Sequence, residues 1–540
     1  MNFSVLHIAS DEVLCPKSRS GLAPFSFLIP VLPSMSISFT SDSICIKFSY
    51  WKNKGVPHLK PVPLFGNYAD LFLGKTKWAS IENKICNHFP DAPVVGSYFG
   101  TEPTLIVKDP ELIKVVTTKD FYHFSGREIS DYVDREWVML NLFSTHGDKW
   151  KVLRQNLSPL FSSAKMKNMF LFIEECSKTF ELLLEKDISV SRQQEVRSFF
   201  ARFTMDCIGT CAFGVNTKAM TDDKQNPFVR VGQEIFDPKY LPIAKTLFRT
   251  SSPALFYGLG LKSFPDKMLN FFSNLLTGVF KERQYKQTAK NDFVDLILKF
   301  VEKKYIMGDS MSNLKSDGKD KVKIDVDDNL LIAQCFIFFA AGFETSATTA
   351  SFLLYELAKD QKSQERARQE IRDWLRKRDG RLVYECVTEL PFLEQCMDET
   401  LRLYPVLGVI TREVSDSYRF ADGLSVERGL RVHLPVFHVH RNPKYFPEPD
   451  TFRPERFAPE NKHNIHPYTY LPFGEGPRLC IGMRFAKMQV MAGLVTILKK
   501  YRVELAPGMP RTIEFEPKSF VTSSKHGIQL NFTPLEERRV

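Results

Sequence analysis

The ten residues Phe473-Gly474-Glu475-Gly476-Pro477-Arg478-Leu479-Cys480-Ile481-Gly482 constrain this chain more than any other stretch. Gly474 and Gly476 allow a tight, bulged turn that gathers backbone N–H groups around one side chain. A helical pattern follows, so the loop runs into a helix N-terminus. Such donors stabilise an anionic sulfur and lower its pKa. The expected product is a loop that presents Cys480 as a thiolate. Arg478 is placed to pair with an anion held beside that sulfur, and Phe473 to cover it from water. A lone cysteine is most often a buried thiol; the glycines and arginine around this one set it apart.

The chain has 540 residues, 43% of them hydrophobic, which is enough for a large core. The 46 phenylalanines fill cores in most proteins and line apolar pockets in some. The formal net charge of +10 suits an acidic protein partner or an anionic membrane face. No arginine-rich arm or zinc-finger spacing points to nucleic acid. The ten cysteines are scattered without a C-x-x-C pair, which points to a reducing compartment. Sequons beginning at Asn2, Asn156 and Asn531 are expected to stay unused.

Near the N-terminus, Gly21 to Phe39 is apolar but is interrupted by Pro24, Pro30 and Pro33. A bilayer-spanning helix needs roughly 20 mostly apolar residues, so this is a weak anchor. Three segments are expected: 1–49 as an atypical leader with a weak or missing anchor, 50–67 as a proline-rich hinge, and 68–540 as the catalytic domain. The aromatic and basic residues of the hinge, Tyr50, Trp51, Lys52 and Lys54 among them, suit a membrane interface. Val94 to Val107 reads as two short strands around a turn at Gly100-Thr101-Glu102-Pro103. Asp109-Pro110 starts a helix, with Asp as cap. Much of the chain to Asp360 has helical periodicity. Lys303 to Asp328 is expected to be an exposed loop, and Asn329 to Lys359 one long buried helix. From Gly423 the pattern is irregular, with short strands. The fold class is therefore mainly α with a minor β region.

Three further constellations carry chemistry. Trp150 and Arg154 share one helix face, where an indole N–H and a guanidinium can both bind a carboxylate; the plainer reading is an amphipathic surface helix. Gly342, within Ala341-Gly342-Phe343-Glu344-Thr345-Ser346, costs about 1 kcal/mol in a helix interior and needs a reason. The reason is either a locally opened helix with room for small ligands or close helix packing. Glu399 and Arg402 form an i,i+3 pair worth a few tenths of a kcal/mol on a surface. Their neighbours, Leu390 to Leu393 and Leu403 to Pro405, are too apolar for a solvated face.

Together these strings resemble the cytochrome P-450 family: F-G-x-G-x-R-x-C-x-G at every specified position, then A-G-x-[DE]-T-[ST], E-x-x-R and W-x-x-x-R. The resemblance runs from about Tyr50 to about Phe532. Cys211-Ala212-Phe213-Gly214 and Asn291-Asp292-Phe293-Val294-Asp295 make it similar to insect microsomal members of the family-6 detoxification type. It implies a triangular α-rich fold, with haem b (iron protoporphyrin IX) between the long helix and the cysteine loop with its following helix. Cys480 would be the axial iron ligand and Phe473 its cover. Trp150, Arg154, Arg412 and Arg478 would clamp the propionates. Thr345 and Glu344 would deliver protons, and Glu399, Arg402 and Arg456 would form a structural triad.

The implied function is a monooxygenase that inserts one atom of O2 into an apolar substrate, a xenobiotic or an endogenous lipid- or hormone-like compound. Electrons would come from NADPH through a flavoprotein NADPH-cytochrome reductase, with cytochrome b5 as a second donor. Candidate docking cations are Lys149, Lys151, Arg484 and Lys487. Candidate pocket linings are Phe121 to Asn141, Phe336 to Thr345, Val406 to Ile410 and Phe520 to Ser523. At Val406 and Gly408 the chain departs from the proline-rich run of related members. The expected place is the cytosolic face of the endoplasmic reticulum membrane, peripherally or weakly anchored. The alternatives are a haem-thiolate isomerase or dehydratase, which loss of the helix threonine would favour, and an inactive haem-binding paralogue, which a damaged loop would favour.

Overall fold

The long helix Asp328–Lys359 organises the molecule. In this computed structural model the described residues are 47–535, apart from 128–129, 222–225, 237–244, 246–247, 251, 289–291 and 317. Gly21 to Phe39, Asn2 and Asn291 lie outside them.

Asp327 caps the helix by accepting from the Leu330 N–H at 2.8 Å. Being apolar nearly all round, the helix is buried along most of its length. By length and hydropathy it qualifies as a membrane span, yet 72% of its apolar window is packed inside the protein. It crosses helix Val196–Phe213 closely: a Cβ at Gly342 would sit 2.7 Å from Ile208 Cδ1. The Thr204 hydroxyl donates to the Phe343 carbonyl across the same contact, at 3.0 Å. Helices Pro391–Leu403 and Met483–Leu498 pack on its other sides.

A four-stranded sheet forms the second layer, in the order Val94–Phe99, Glu102–Val107, Arg431–Leu434, Ile410–Glu413. The expected hairpin is present, but its turn is only Gly100-Thr101. Pro103 lies in the strand opposite Tyr98. Gly100 supplies the positive φ of 66° that the tight turn needs. Asp109 caps a helix as expected, accepting from Glu111 N and Leu112 N, with Pro110 at its first position.

Two expectations are corrected. Lys303 to Asp328 is not a plain exposed loop: Tyr305–Asp309 and Lys321–Asp325 pair as an antiparallel hairpin, folded onto helix Gly147–Leu157. Trp51, expected at a membrane interface, has no exposed surface and donates its indole N–H to the Ser97 carbonyl at 2.8 Å. Gly96 makes room for it, since a Cβ there would lie 2.4 Å from the indole Cγ. The first part of the hinge is thus built into the sheet.

Candidate functional site

The cysteine loop has the expected bulged turn. Gly474 and Gly476 hold φ of 76° and 70°. Gly476 is also sterically obligatory: a Cβ would fall 1.9 Å from the Thr117 carbonyl oxygen. The Cys480 N–H donates to the Phe473 carbonyl at 2.9 Å and the Gly474 N–H to the Leu471 carbonyl at 3.1 Å. Gly482 caps helix Met483–Leu498. All eight described cysteines are free thiols, and only Cys480 is exposed. Burial nonetheless dominates its titration. The expectation of a depressed pKa is corrected. Burial pushes this thiol up, against the opposing pull of the Gly482 N–H, Arg154 and Arg127. A coordinating metal ion deprotonates a thiol outright, so ligation does not need the protein to do so first.

Around the loop stand four guanidiniums, those of Arg127, Arg154, Arg412 and Arg478. Burial lowers all four, and Arg412 is pulled down to about 9 by burial and then by Arg127. Arg478 donates to the carbonyls of Ser125 at 2.8 Å and Thr145 at 2.7 Å, and lies 4.5 Å over the Trp150 ring. The Nε atoms of Arg127 and Arg412 are buried and unsatisfied. No carboxylate among the described residues pairs with any of the four. A cluster of cations without an anion is costly to bury. Its donor set fits an acidic group with two carboxylates, as haem b has, beside the sulfur.

Arg127 was not singled out by the sequence. An arginine after a glycine, outside every motif, carries no signal. The fold supplies the reason: the Glu413 N–H donates to the Gly126 carbonyl at 3.0 Å, which brings Arg127 beside Arg412.

The triad forms as expected. Glu399 and Arg402 have no exposed surface and share a bidentate pair at 2.8 Å. Arg456 Nε reaches the same carboxylate at 3.3 Å. His440, also missed, links this triad to the loop. Its Nε2 accepts from the Leu471 N–H at 2.8 Å, and its own carbonyl accepts from Arg402 at 2.9 Å. Burial, then Arg402, pulls its pKa down to about 3, so the imidazole is neutral and Nε2 is free to accept.

The long helix Asp328–Lys359 carries the other expected site residues. Phe336, Phe339, Ala340, Phe343 and Glu344 are buried, whereas Ile337, Ala341 and Thr345, four apart, are open on one face. The helix continues unbroken through Ala341 to Ser346, so the expectation of a local opening is corrected. Gly342 is explained by Ile208. Thr345 Oγ1 donates to the Ala341 carbonyl at 2.7 Å. Glu344 is buried and held by Arg197, with Nε at 3.0 Å and Nη2 at 2.5 Å from one carboxylate oxygen.

Two expected lining segments meet above this helix. Thr522 donates its N–H to the Val406 carbonyl at 2.9 Å and its hydroxyl to the Pro405 carbonyl at 2.5 Å. Gly408 is required by helix Trp78–His88, because a Cβ there would lie 2.4 Å from Ala79 Cβ. Phe520 is 60% exposed and does not line an enclosed pocket. Of the candidate docking cations, Lys149 pairs with Asp134 at 2.6 Å and Lys487 with Glu394 at 2.6 Å. Lys151 donates to the Ser310 carbonyl at 2.8 Å, and only Arg484 is exposed without an acidic partner among the described residues.

The family model described as Cytochrome P450 matches residues 56–532. Cytochrome P450 6B2 of Helicoverpa armigera is 34% identical over 512 residues, 95% of this chain and 99% of the relative. Cytochrome P450 6k1 of Blattella germanica is 35% identical over 496 residues, covering 90% and 93%. Cytochrome P450 6a8 of Drosophila melanogaster is 33% identical over 491 residues, covering 90% and 94%.

Proposed function

Since the chain belongs to the cytochrome P450 family and is a haem-thiolate monooxygenase, we propose a role for each side chain of its site. Cys480 would ligate the iron of haem b through its sulfur. When bound, the haem supplies the activation of O2 that no amino-acid side chain provides. Arg127, Arg154, Arg412, Arg478 and Trp150 hold its propionates. The observation that carries this reading is the four-arginine cluster around one cysteine, with no carboxylate among the described residues to neutralise it.

Thr345 spends its hydroxyl proton on the Ala341 carbonyl, which leaves its oxygen lone pairs toward the open face. It would therefore hold a water as acceptor on that face and orient the water's protons toward the site. Glu344 resupplies protons from the Arg197 side. Ile337 and Ala341 keep the same face apolar and exclude excess water. The substrate is an apolar xenobiotic or endogenous compound seated against this face under the 406–410 and 521–523 segments. Electrons arrive through a redox partner. NADPH-cytochrome reductase, with cytochrome b5 as second donor, docks near the exposed Arg484. The protein works on the cytosolic face of the endoplasmic reticulum membrane. Exposed apolar side chains at Leu64 (57%), Leu73 (57%) and Leu259 (53%) support contact with a lipid surface.

The test is a carbon-monoxide difference spectrum of the reduced protein, then turnover of a panel of apolar compounds with added reductase. The expected spectrum is of the thiolate type, with NADPH-dependent oxygenated products. Thr345→Ala is expected to retain the spectrum but to divert NADPH to peroxide. Wild-type product yield per NADPH in that variant would remove Thr345 from proton delivery.

A further inference from the structure

Helix Gly147–Leu157 has two opposite working sides. At about 100° per residue, Trp150, Leu153, Arg154 and Leu157 share one side, and Asp148, Lys151, Val152 and Gln155 the other. The first side faces the site. The second is covered by the hairpin Tyr305–Asp309 and Lys321–Asp325.

The contacts fall along the whole outward side. Ser310 Oγ and the Met311 N–H donate to Asp148 Oδ1 at 3.0 and 2.5 Å. Lys151 Nζ donates to the Ser310 carbonyl at 2.8 Å. Gln155 and Asp309 exchange two bonds, Nε2 to Oδ2 and N–H to Oε1, both at 2.7 Å. Asn156 Nδ2 donates to the Met307 carbonyl at 2.9 Å. Gly308 lies flat on the helix: a Cβ there would be 3.0 Å from Val152 Cα and 2.5 Å from Gln155 Oε1. Val152 is consequently fully buried although it points away from the site. Helices shorter than about 12 residues are marginal alone, so what packs on both sides sets where this one sits.

We propose that this hairpin is a brace for the cofactor clamp: it fixes the helix that carries Trp150 and Arg154 and thereby slows the loss of haem. The proposal rests on the reading that these two residues hold the propionates. Its positioning residues are Gly308, Gln155 and Asp148.

The experiment loads the full chain with haem and follows transfer of ferric haem to excess apomyoglobin. The ferrous carbon-monoxide spectrum checks that thiolate ligation persists in each variant. Gly308→Val, which wedges the hairpin off, is expected to release haem about tenfold faster, and Gln155→Ala about threefold faster, with the thiolate-type band kept. Arg154→Gln is expected to accelerate release as well. Because brace and clamp act through one helix, Gly308→Val with Arg154→Gln should release haem more slowly than the product of the two single accelerations. Wild-type release from Arg154→Gln would overturn the clamp reading. An effect of Arg154→Gln with normal release from Gln155→Ala and Gly308→Val, or rates that multiply in the double variant, would overturn the brace alone. Should Gly308→Val not fold, Gln155→Ala alone and combined with Arg154→Gln decides, since it removes only one partly exposed bond pair.

Discussion

At the residue scale, burial decides the behaviour of the charged groups. Cys480→Ser is expected to abolish the thiolate-type band of the reduced carbon-monoxide complex, because a neutral hydroxyl is a weak iron ligand. An unchanged band would exclude Cys480 as the ligand. Lys77 gives a pH-dependent prediction. Its ammonium is buried, donates to Thr522 Oγ1 and lies 5.1 Å over the Phe515 ring. Burial, then Arg441, lowers its pKa from 10.5 to about 7. Between those values the unfolded chain binds more protons than the folded one, so stability from this group rises with pH. The cost of keeping it charged is full below about pH 7 and fades toward its unfolded pKa near 10.4. Lys77→Met should therefore raise the melting temperature more at pH 6 than at pH 9. An equal shift at both would show that Lys77 is not desolvated.

At the element scale, the support under the cysteine loop is a relay of buried polar contacts. Glu399 fixes Arg402, Arg402 holds the His440 carbonyl, and His440 Nε2 holds the Leu471 N–H at the start of the loop. Arg402→Leu leaves Glu399 buried with only Arg456 as a charged partner, and is expected to cost about 3–5 kcal/mol. Denaturant unfolding of the holoprotein measures it. A loss below about 1 kcal/mol would mean that the triad is no more than a surface pair. The Glu399–Arg402 pair was readable in the sequence because its spacing is local and its neighbours are apolar, whereas Arg456 was implied only by the family resemblance. His440 was not, because its role depends on two segments, near 402 and near 471, that meet only in the fold. The hairpin at Lys303 to Asp328 was misread for a related reason. Its lysines, aspartates and glycines have loop composition, but Gly308 is buried against helix Gly147–Leu157, which is distant in sequence.

At the scale of the whole molecule, apolar side chains remain exposed at Val62, Leu64, Leu73, Leu255, Leu259, Leu261 and Phe520. The chain is expected to sediment in part with phospholipid vesicles and to be released by alkaline carbonate. Asp in place of Leu64 and Leu73 together should weaken that binding; full retention after carbonate washing would indicate a spanning segment instead. The sequence alone determined the family, the candidate ligand cysteine, the Glu399–Arg402 pair and the mainly helical class. Each rests on short strings whose chemistry is complete within a few residues or on a sustained 3.6-residue period. Only the tertiary structure decided that Gly342 serves packing against Ile208, that Arg127 completes the cationic cluster, and that a hairpin packs on helix Gly147–Leu157. Those outcomes depend on which distant segments come within a few ångströms of each other, and neither periodicity nor local composition carries that distance.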